Sequence, residues 1–367
     1  MRVKLEELVE EVSERTTINN QFPVLTSSRS GIYLQEDYFK KQVASKDNTG
    51  YKVIRKGEFT YRAMSDTGEF YPNKLECTDI GIVSPAYPVF KIKDNRVLPD
   101  YLKYYFKSRS FQKSIIAFVQ GSTRASMKFG KMKSILIDLP DKNKQKQILN
   151  TIEILEDIIN KYKLEINRLD KLIKARFVEM FGDPVVNPKA WDTESLVRNA
   201  TLLNGRAYSQ EELLDSGKYP VLRVGNFFSN RGWYYSDLEL SDDKYCDTGD
   251  LLYAWSASFG PKIWDGGKVI YHYHIWKILV GEKYNKIFLC KLLEYVTLSL
   301  MDNTHGIGMM HLTKSGMEKT NFIVPPMQLQ NEFEHFVARV DKSKFAVQKS
   351  LEKTQQLFDS LMQEYFG

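Results

Sequence analysis

Three groups of residues have the types and spacing to do chemistry. Asp242-Asp243-Lys244 has the Asp-x-Lys form of a metal-dependent nuclease, but residues this common often meet by chance, and a solvated turn is the favoured reading. His272 and His274 alternate on a predicted strand and so share a face. With Cys246, Cys290 or His311 they could supply zinc ligands, yet the cysteines lack ligand spacing. A recognition face or a hydrogen-bonded structural pair is the better account. The third group consists of cations, amides, hydroxyls and aromatic rings in predicted loops, close to glycine. Reading base edges needs paired donors and acceptors, whereas phosphates need cations or hydroxyls. In the first half these residues are Ser27, Ser28 and Arg29, Tyr61 and Arg62, and Arg124 with Ser126, Lys128 and Lys131. In the second half they are Arg206 with Tyr208, Arg223 with Asn226, Ser256 with Ser258, and His311 with Lys314. They mark regions for DNA contact, and no residue is assigned as catalytic or as a metal ligand.

The 367 residues are enough for two domains and something extra, and a composition of 43% hydrophobic and 27% charged residues excludes a disordered or collagenous chain. Three scattered cysteines, Cys77, Cys246 and Cys290, form no disulfide framework and suit a reducing compartment. The start, MRVKLEELVEEVSERTT, has acids where a signal peptide needs an apolar core, and no apolar run approaches 18 residues, so the expectation is cytoplasmic with no membrane. The net charge of +6 is uneven. Residues 1–182 hold 32 Lys/Arg against 23 Asp/Glu, a balance of +9, and residues 183–367 hold 20 against 23, a balance of −3. Bulk charge therefore favours a polyanion only for the first half.

A repeat appears at an offset of 185 residues. Leu139-Pro140-Asp141-Lys142-Asn143-Lys144-Gln145 lies over Val324-Pro325-Pro326-Met327-Gln328-Leu329-Gln330, and Glu179-Met180-Phe181-Gly182 over Glu364-Tyr365-Phe366-Gly367. From Gly121 onward only 8 of 62 positions are identical, so the ordered pattern carries the argument rather than the identity. Upstream, Gly57-Glu58-Phe59-Thr60-Tyr61 resembles Gly249-Asp250-Leu251-Leu252-Tyr253, and Tyr87–Ile92 resembles Tyr273–Ile278, with the drift in offset expected of loop insertions.

In each half a texture of strands and turns gives way to a glycine-free stretch of roughly 40 residues that predicts one helix. Ile148, Ile152, Leu155, Ile159, Tyr162, Ile166, Leu169 and Ile173 keep a 4-3-4-3 spacing, the seam of a coiled coil, with Phe177 and Met180 following a stutter. Phe333, Val337, Val340, Val347, Leu351, Phe358 and Met362 repeat it, interrupted by Lys344 and Thr354. A 40-residue helix is about 60 Å long and must bury such a stripe. The other copy is the simplest partner, and the short Asp183–Lys189 connection favours antiparallel packing with a globular half at each end. Two unlike heads held apart suit two unlike half-sites on DNA, divided by a spacer that is spanned but not read.

These residues resemble the specificity subunit of type I restriction-modification systems. The resemblance is carried by Gly249–Pro261 (GDLLYAWSASFGP), Tyr271–Ile278 (YHYHIWKI, read as one strand), Gly306–Lys314 (GIGMMHLTK) and the VPPMQLQ entry to a long helix. Gly121-Ser122-Thr123-Arg124 departs from Gly306-Ile307-Gly308-Met309, which limits residue-level transfer between the halves. The fold implied is α+β, with two β-rich target-recognition domains at 1–139 and 186–323, separated by two long antiparallel coiled-coil helices at 140–185 and 324–367, in an internal pseudo-twofold repeat. The partners implied are double-stranded DNA, two modification (methyltransferase) subunits and translocating, nuclease-bearing restriction subunits. S-adenosylmethionine, ATP and Mg are expected in those subunits and none in this chain. No Asn-Pro-Pro-Tyr-type run, Gly-rich dinucleotide fingerprint or phosphate-cradling loop is found. Off the seam, Ile154, Ile158, Phe336 and Phe345 suit either docking of modification subunits or packing on their own domains. The competing readings are a self-contained type II restriction endonuclease, which needs a nuclease centre, and a coiled-coil adaptor with two heads that bind something other than DNA.

Overall fold

Neither predicted helical stretch contains glycine or proline, and each runs unbroken for 40 residues, as Lys142–Phe181 and Met327–Phe366. Their starts and ends keep the 185-residue offset. Gly182 and Gly367 stop them: both take positive φ (77° and 89°) and donate their N–H to the carbonyls of Val178 and Gln363. The computed structural model describes residues 1–39, 45–118, 125–229, 232–302 and 313–367, with the backbone alone for 298–302.

The chain folds as two compact units, Met1–Lys163 with Lys349–Gly367, and Leu164–Gln348. Each unit therefore holds one globular half and a part of both long helices. The sequence boundaries at 139, 185 and 323 separate heads from helices, whereas the packing shares the helices out between the heads.

In the first unit a four-stranded antiparallel sheet has the order Val9–Val12, Val89–Ile92, Phe59–Thr60, Asn73–Lys74. A second layer pairs Leu25–Ser27 with Ile32–Leu34 and Lys52–Arg55 with Ile80–Val83, joined by a parallel bridge from Val24 to Ile82. The second unit repeats this plan with longer strands. Its antiparallel sheet runs Ala200–Asn204, Ile275–Val280, Leu251–Ser256, Ser258–Ile263, and its other sheet runs Tyr234–Ser236, Tyr219–Leu222, Val269–Tyr271, Tyr245–Cys246. In that sheet Tyr219–Leu222 and Val269–Tyr271 are parallel, the counterpart of the Val24–Ile82 bridge. Gly57 and Gly249, paired in the sequence comparison, both have positive φ and both close a turn: Gly57 N–H donates to Leu75 O and Gly249 N–H to Trp264 O.

Two buried glutamines tie helix to head in the same way. Gln145 accepts from Leu98 N–H and donates to the carbonyls of Arg96 and Pro140. Gln330 accepts from Asn285 N–H and donates to the carbonyls of Lys283 and Pro325. Both are fully buried, so each amide satisfies backbone groups that water cannot reach.

The seam residues meet the cores as expected of an apolar stripe. In the first unit Ile148, Ile152 and Phe366 join a core with Tyr101, Phe106 and Phe111, and Phe358 and Met362 pack on it half-buried. In the second, Ile173, Phe177 and Phe181 meet Phe333, Val337 and Val340 over Phe288 and Leu292. Leu155 and Ile159 are buried, while Tyr162, Ile166, Leu169, Val347 and Leu351 are half-buried. Within the second unit the helices run antiparallel: Phe177 packs edge-on to Phe333, and Asp170, a few residues earlier, pairs with Lys344, further along the partner. The two polar interruptions are thus accounted for, Lys344 by this ion pair and Thr354 by donating its hydroxyl to Ser350 O.

Candidate nucleic-acid interface

The hairpin Leu25–Ser27/Ile32–Leu34 turns through Ser28-Arg29-Ser30-Gly31, with Ser28 N–H donating to Gly31 O. It forms one side of a cleft of about 700 Å³ that gathers Ser27, Ser28, Arg29 and Arg62 with Tyr38, Glu69 and Tyr71. Asn73, 3% exposed, organises this wall. Its amide donates to Ser27 Oγ, Ser28 O and Tyr71 O. Arg29 lies over the Tyr71 ring at 5.3 Å and 3.4 Å from Glu69. Burial, and then a hydrogen bond to Glu69, push the Tyr71 phenol up to about 12, so it stays a donor at neutral pH. Arg62 is exposed and has no ion pair among the described residues. Tyr61 is not on this surface. It is fully buried, its hydroxyl donates to Met127 O and its ring meets Phe70 edge-on, so the alternation that singled it out leads into the core. Ser27 is buried as the cleft floor.

In the second unit Arg206, Tyr208 and the histidines form one aromatic cluster. The segment Tyr271–Ile278 is not one strand: pairing ends at Tyr271 and resumes at Ile275, and His272-Tyr273-His274 is a turn. Gly205 and Arg206 impose the break. Arg206 N–H donates to Tyr271 O, Tyr273 N–H donates to Arg206 O, and a Cβ on Gly205 would lie 2.3 Å from Tyr271 O, an approach open only to glycine. The two imidazoles still meet, with centroids 4.7 Å apart and His274 N–H donating to His272 Nδ1 at 3.4 Å. Burial, then the neighbouring His274 and Arg223, hold His272 down at about 4, so it is neutral at physiological pH. Trp255 meets His274 edge-on, and its indole N–H donates to Tyr273 O. Arg206 lies 5.2 Å over Tyr208, with both terminal nitrogens on Glu212 at 2.9 and 2.6 Å. That clamp holds the Glu212 carboxyl below its usual range.

The remaining candidates are spread around these two surfaces. Arg223 is exposed and lies over Tyr234. Asn226 is buried, accepting from Arg223 N–H and donating to Gly232 O, a turn-closing role. Ser256 is buried and Ser258 exposed where they flank the hairpin tip at Ala257, whose φ of 63° is unusual for a residue with a side chain. Ser126 pairs with Met64 beside the first cleft, and Lys128 and Lys131 are exposed just beyond it. Lys314 pairs with Glu318. Arg124 and His311 lie outside the described residues. Asp242–Lys244 is one 3-10 turn in which Lys244 pairs with Asp243 and donates to Asn204 O. Cys246 and Cys290 are buried in different cores, and among the described residues no three His, Cys, Asp or Glu side chains converge on a metal position. Of the off-seam residues, Ile154 and Phe345 are exposed, Ile158 is half-buried, and Phe336 packs on the core of its own unit beneath Arg176. Glu69, Tyr71, Asn73, Trp255 and Tyr273 escaped the sequence reading. Only the polar-aromatic run Glu69–Asn73 offered a signal.

The duplicated sheets, glutamine ties and helices coincide with the family described as "Type I restriction modification DNA specificity domain", which matches residues 3–172 and 188–357, again 185 residues apart. The chain belongs to this family. It is similar to the MjaIX type I restriction enzyme specificity subunit of Methanocaldococcus jannaschii, at 21% identity over 301 residues, 74% of this chain and 69% of that one. It is also similar to the EcoBI specificity subunit of Escherichia coli, at 25% over 162 residues, 42% of this chain and 34% of that one. Among solved structures, a type I restriction-modification S subunit from M. genitalium matches with a TM-score of 0.56 at 14% identity, covering 100% of this chain and 96% of the other. A chain from a structure concerned with assembly and conformational transition of the type I R-M system matches with a TM-score of 0.59 at 15% identity, covering 100% and 97%. The family's part is DNA specificity, a task of recognition rather than catalysis. No helix among the described residues is long and apolar enough to cross a membrane.

Proposed function

We propose that this chain is the DNA-specificity subunit of a type I restriction-modification complex. Each unit reads one half of a bipartite, asymmetric site, and the paired helices set the spacer and dock two modification subunits. Methyl transfer and cleavage, with S-adenosylmethionine, ATP and Mg, belong to the modification and restriction subunits. The observation that carries this reading is the repetition, at one constant offset, of a head built on the same two-sheet plan, a glutamine tie and a 40-residue helix. Two heads that share a plan but differ in surface residues suit two different short sequences. A simple adaptor or a single-site nuclease has no use for that.

Sequencing modified bases in cells that express the chain with a modification subunit tests the proposal. The expected result is one two-part, asymmetric motif with a fixed gap. Deleting four residues from each helix, about 6 Å, should shorten the gap by one or two base pairs and leave both half-sites unchanged. A continuous motif, or new half-site letters around the old gap, would refute it.

A further inference from the structure

We propose that Arg29 reads a guanine in the half-site met by the first unit, with Glu69 beside it set to accept from a cytosine amino group; this rests on the DNA-reading function proposed above. Arg29 stands at the tip of a two-stranded hairpin, an element narrow enough to enter a major groove. Its side chain is 76% exposed, and the contact with Glu69 at 3.4 Å occupies one edge of the guanidinium. The Tyr71 ring under the guanidinium fixes its plane, and Asn73 fixes both Ser28 and Tyr71 through their carbonyls. An arginine so held loses little freedom when its fork meets O6 and N7 of guanine.

The acids in the cleft distinguish base from phosphate. Asp66 and Glu69 line it together with Arg29 and Arg62. A surface evolved only for phosphates gains nothing from carboxylates, whereas the edge of a G·C pair offers acceptors on guanine and a donor on cytosine, which an Arg–Glu pair side by side complements. Arg62, exposed and with no ion pair among the described residues, has the character of a phosphate contact. Arg206 offers the opposite case. It also lies over a tyrosine, but both its terminal nitrogens are already on Glu212.

The test measures binding of the chain, assembled with its modification subunit, to duplexes carrying its own methylation site, with each guanine replaced in turn by 7-deazaguanine. That base lacks the N7 acceptor. At one guanine the replacement should weaken wild-type binding about tenfold and leave Arg29→Ala and Arg29→Lys unaffected. Arg62→Ala should weaken all duplexes alike, lower the salt dependence and keep the 7-deazaguanine penalty. Penalties that persist at every guanine in both Arg29 variants, or a site without guanine in either half, would overturn the assignment of Arg29 alone. A wild-type complex that prefers its methylated sequence no more than a scrambled duplex would overturn the function itself.

Discussion

Arg29 in the first unit and Arg206 in the second are built from the same three parts, an arginine, a tyrosine face 5.3 or 5.2 Å below it and a glutamate. In the first the carboxylate is 3.4 Å away and the arginine side chain 76% exposed; in the second the pairing is bidentate and the side chain 34% exposed. One arginine is presented to a ligand, while the other closes the turn after Ser209 and helps to shape the His272–His274 surface. Residue type alone does not separate a reader from a clamp. The difference lies in how many of the five donors are already satisfied.

The two units also differ where the long helices end. Phe177 in the second unit has Met362 as its repeat counterpart in the first. Phe177 is 2% exposed and stacks on Phe288, with Phe181 and Phe333 around it, whereas Met362 only packs half-buried on its core. Phe177→Ala should cost about 3–5 kcal/mol and Met362→Ala about 1–2 kcal/mol. All five tryptophans lie between Trp191 and Trp276, so urea unfolding followed by tryptophan fluorescence reports the second unit, and tyrosine absorbance and circular dichroism add the first. Equal losses for the two variants would show that the aromatic cluster does not make the second unit's helix seat the stronger.

The glutamine ties are where the units are most alike. Gln145→Ala and Gln330→Ala each strand a buried amide N–H and two carbonyls, so each should cost about 3 kcal/mol, matched between the two. If one variant unfolded at the wild-type urea midpoint and the other did not, the repeat would be shared in sequence but not in energetics.

How much of this was legible beforehand follows from the range of the interactions. The helices were legible because their seam, their missing glycines and prolines and their Gly stops are local signals that occur twice. The Gly57/Gly249 correspondence was legible for the same reason, since a positive-φ turn leaves a glycine in the sequence. The strand order was not, because Val9–Val12 pairs with Val89–Ile92 across some 80 residues. His272 and His274 had the alternation of a strand, and the break between them is imposed by Gly205, far away in sequence. Tyr61 and Asn226 have residue types that suit binding, but burial, which is a property of the whole fold, turned both to structural use.

The histidines give the finest distinction between the units, since all five lie between His272 and His335 and the first unit has none. His272 titrates at about 4 in the fold against an ordinary 6.5. Between those values the unfolded chain binds a proton that the folded chain does not, so stability falls as pH drops from 6.5 to about 4 and rises again on the way back. Depressed carboxylates such as Glu212 and Asp243 also lose their contribution in acid, but only from near their ordinary values of 4.5 and 3.8 downward, which leaves pH 6.5 to 5 to histidine. The tryptophan-reported urea midpoint should therefore decline across that window while the tyrosine and circular-dichroism signals from the first unit hold. His272→Asn, whose amide oxygen can stand where Nδ1 accepts from His274 N–H, should flatten most of the decline. A decline that survives in this variant would move the acid sensitivity to another histidine of the second unit. A decline of equal size in the first unit would remove histidine as its cause, because no histidine lies there.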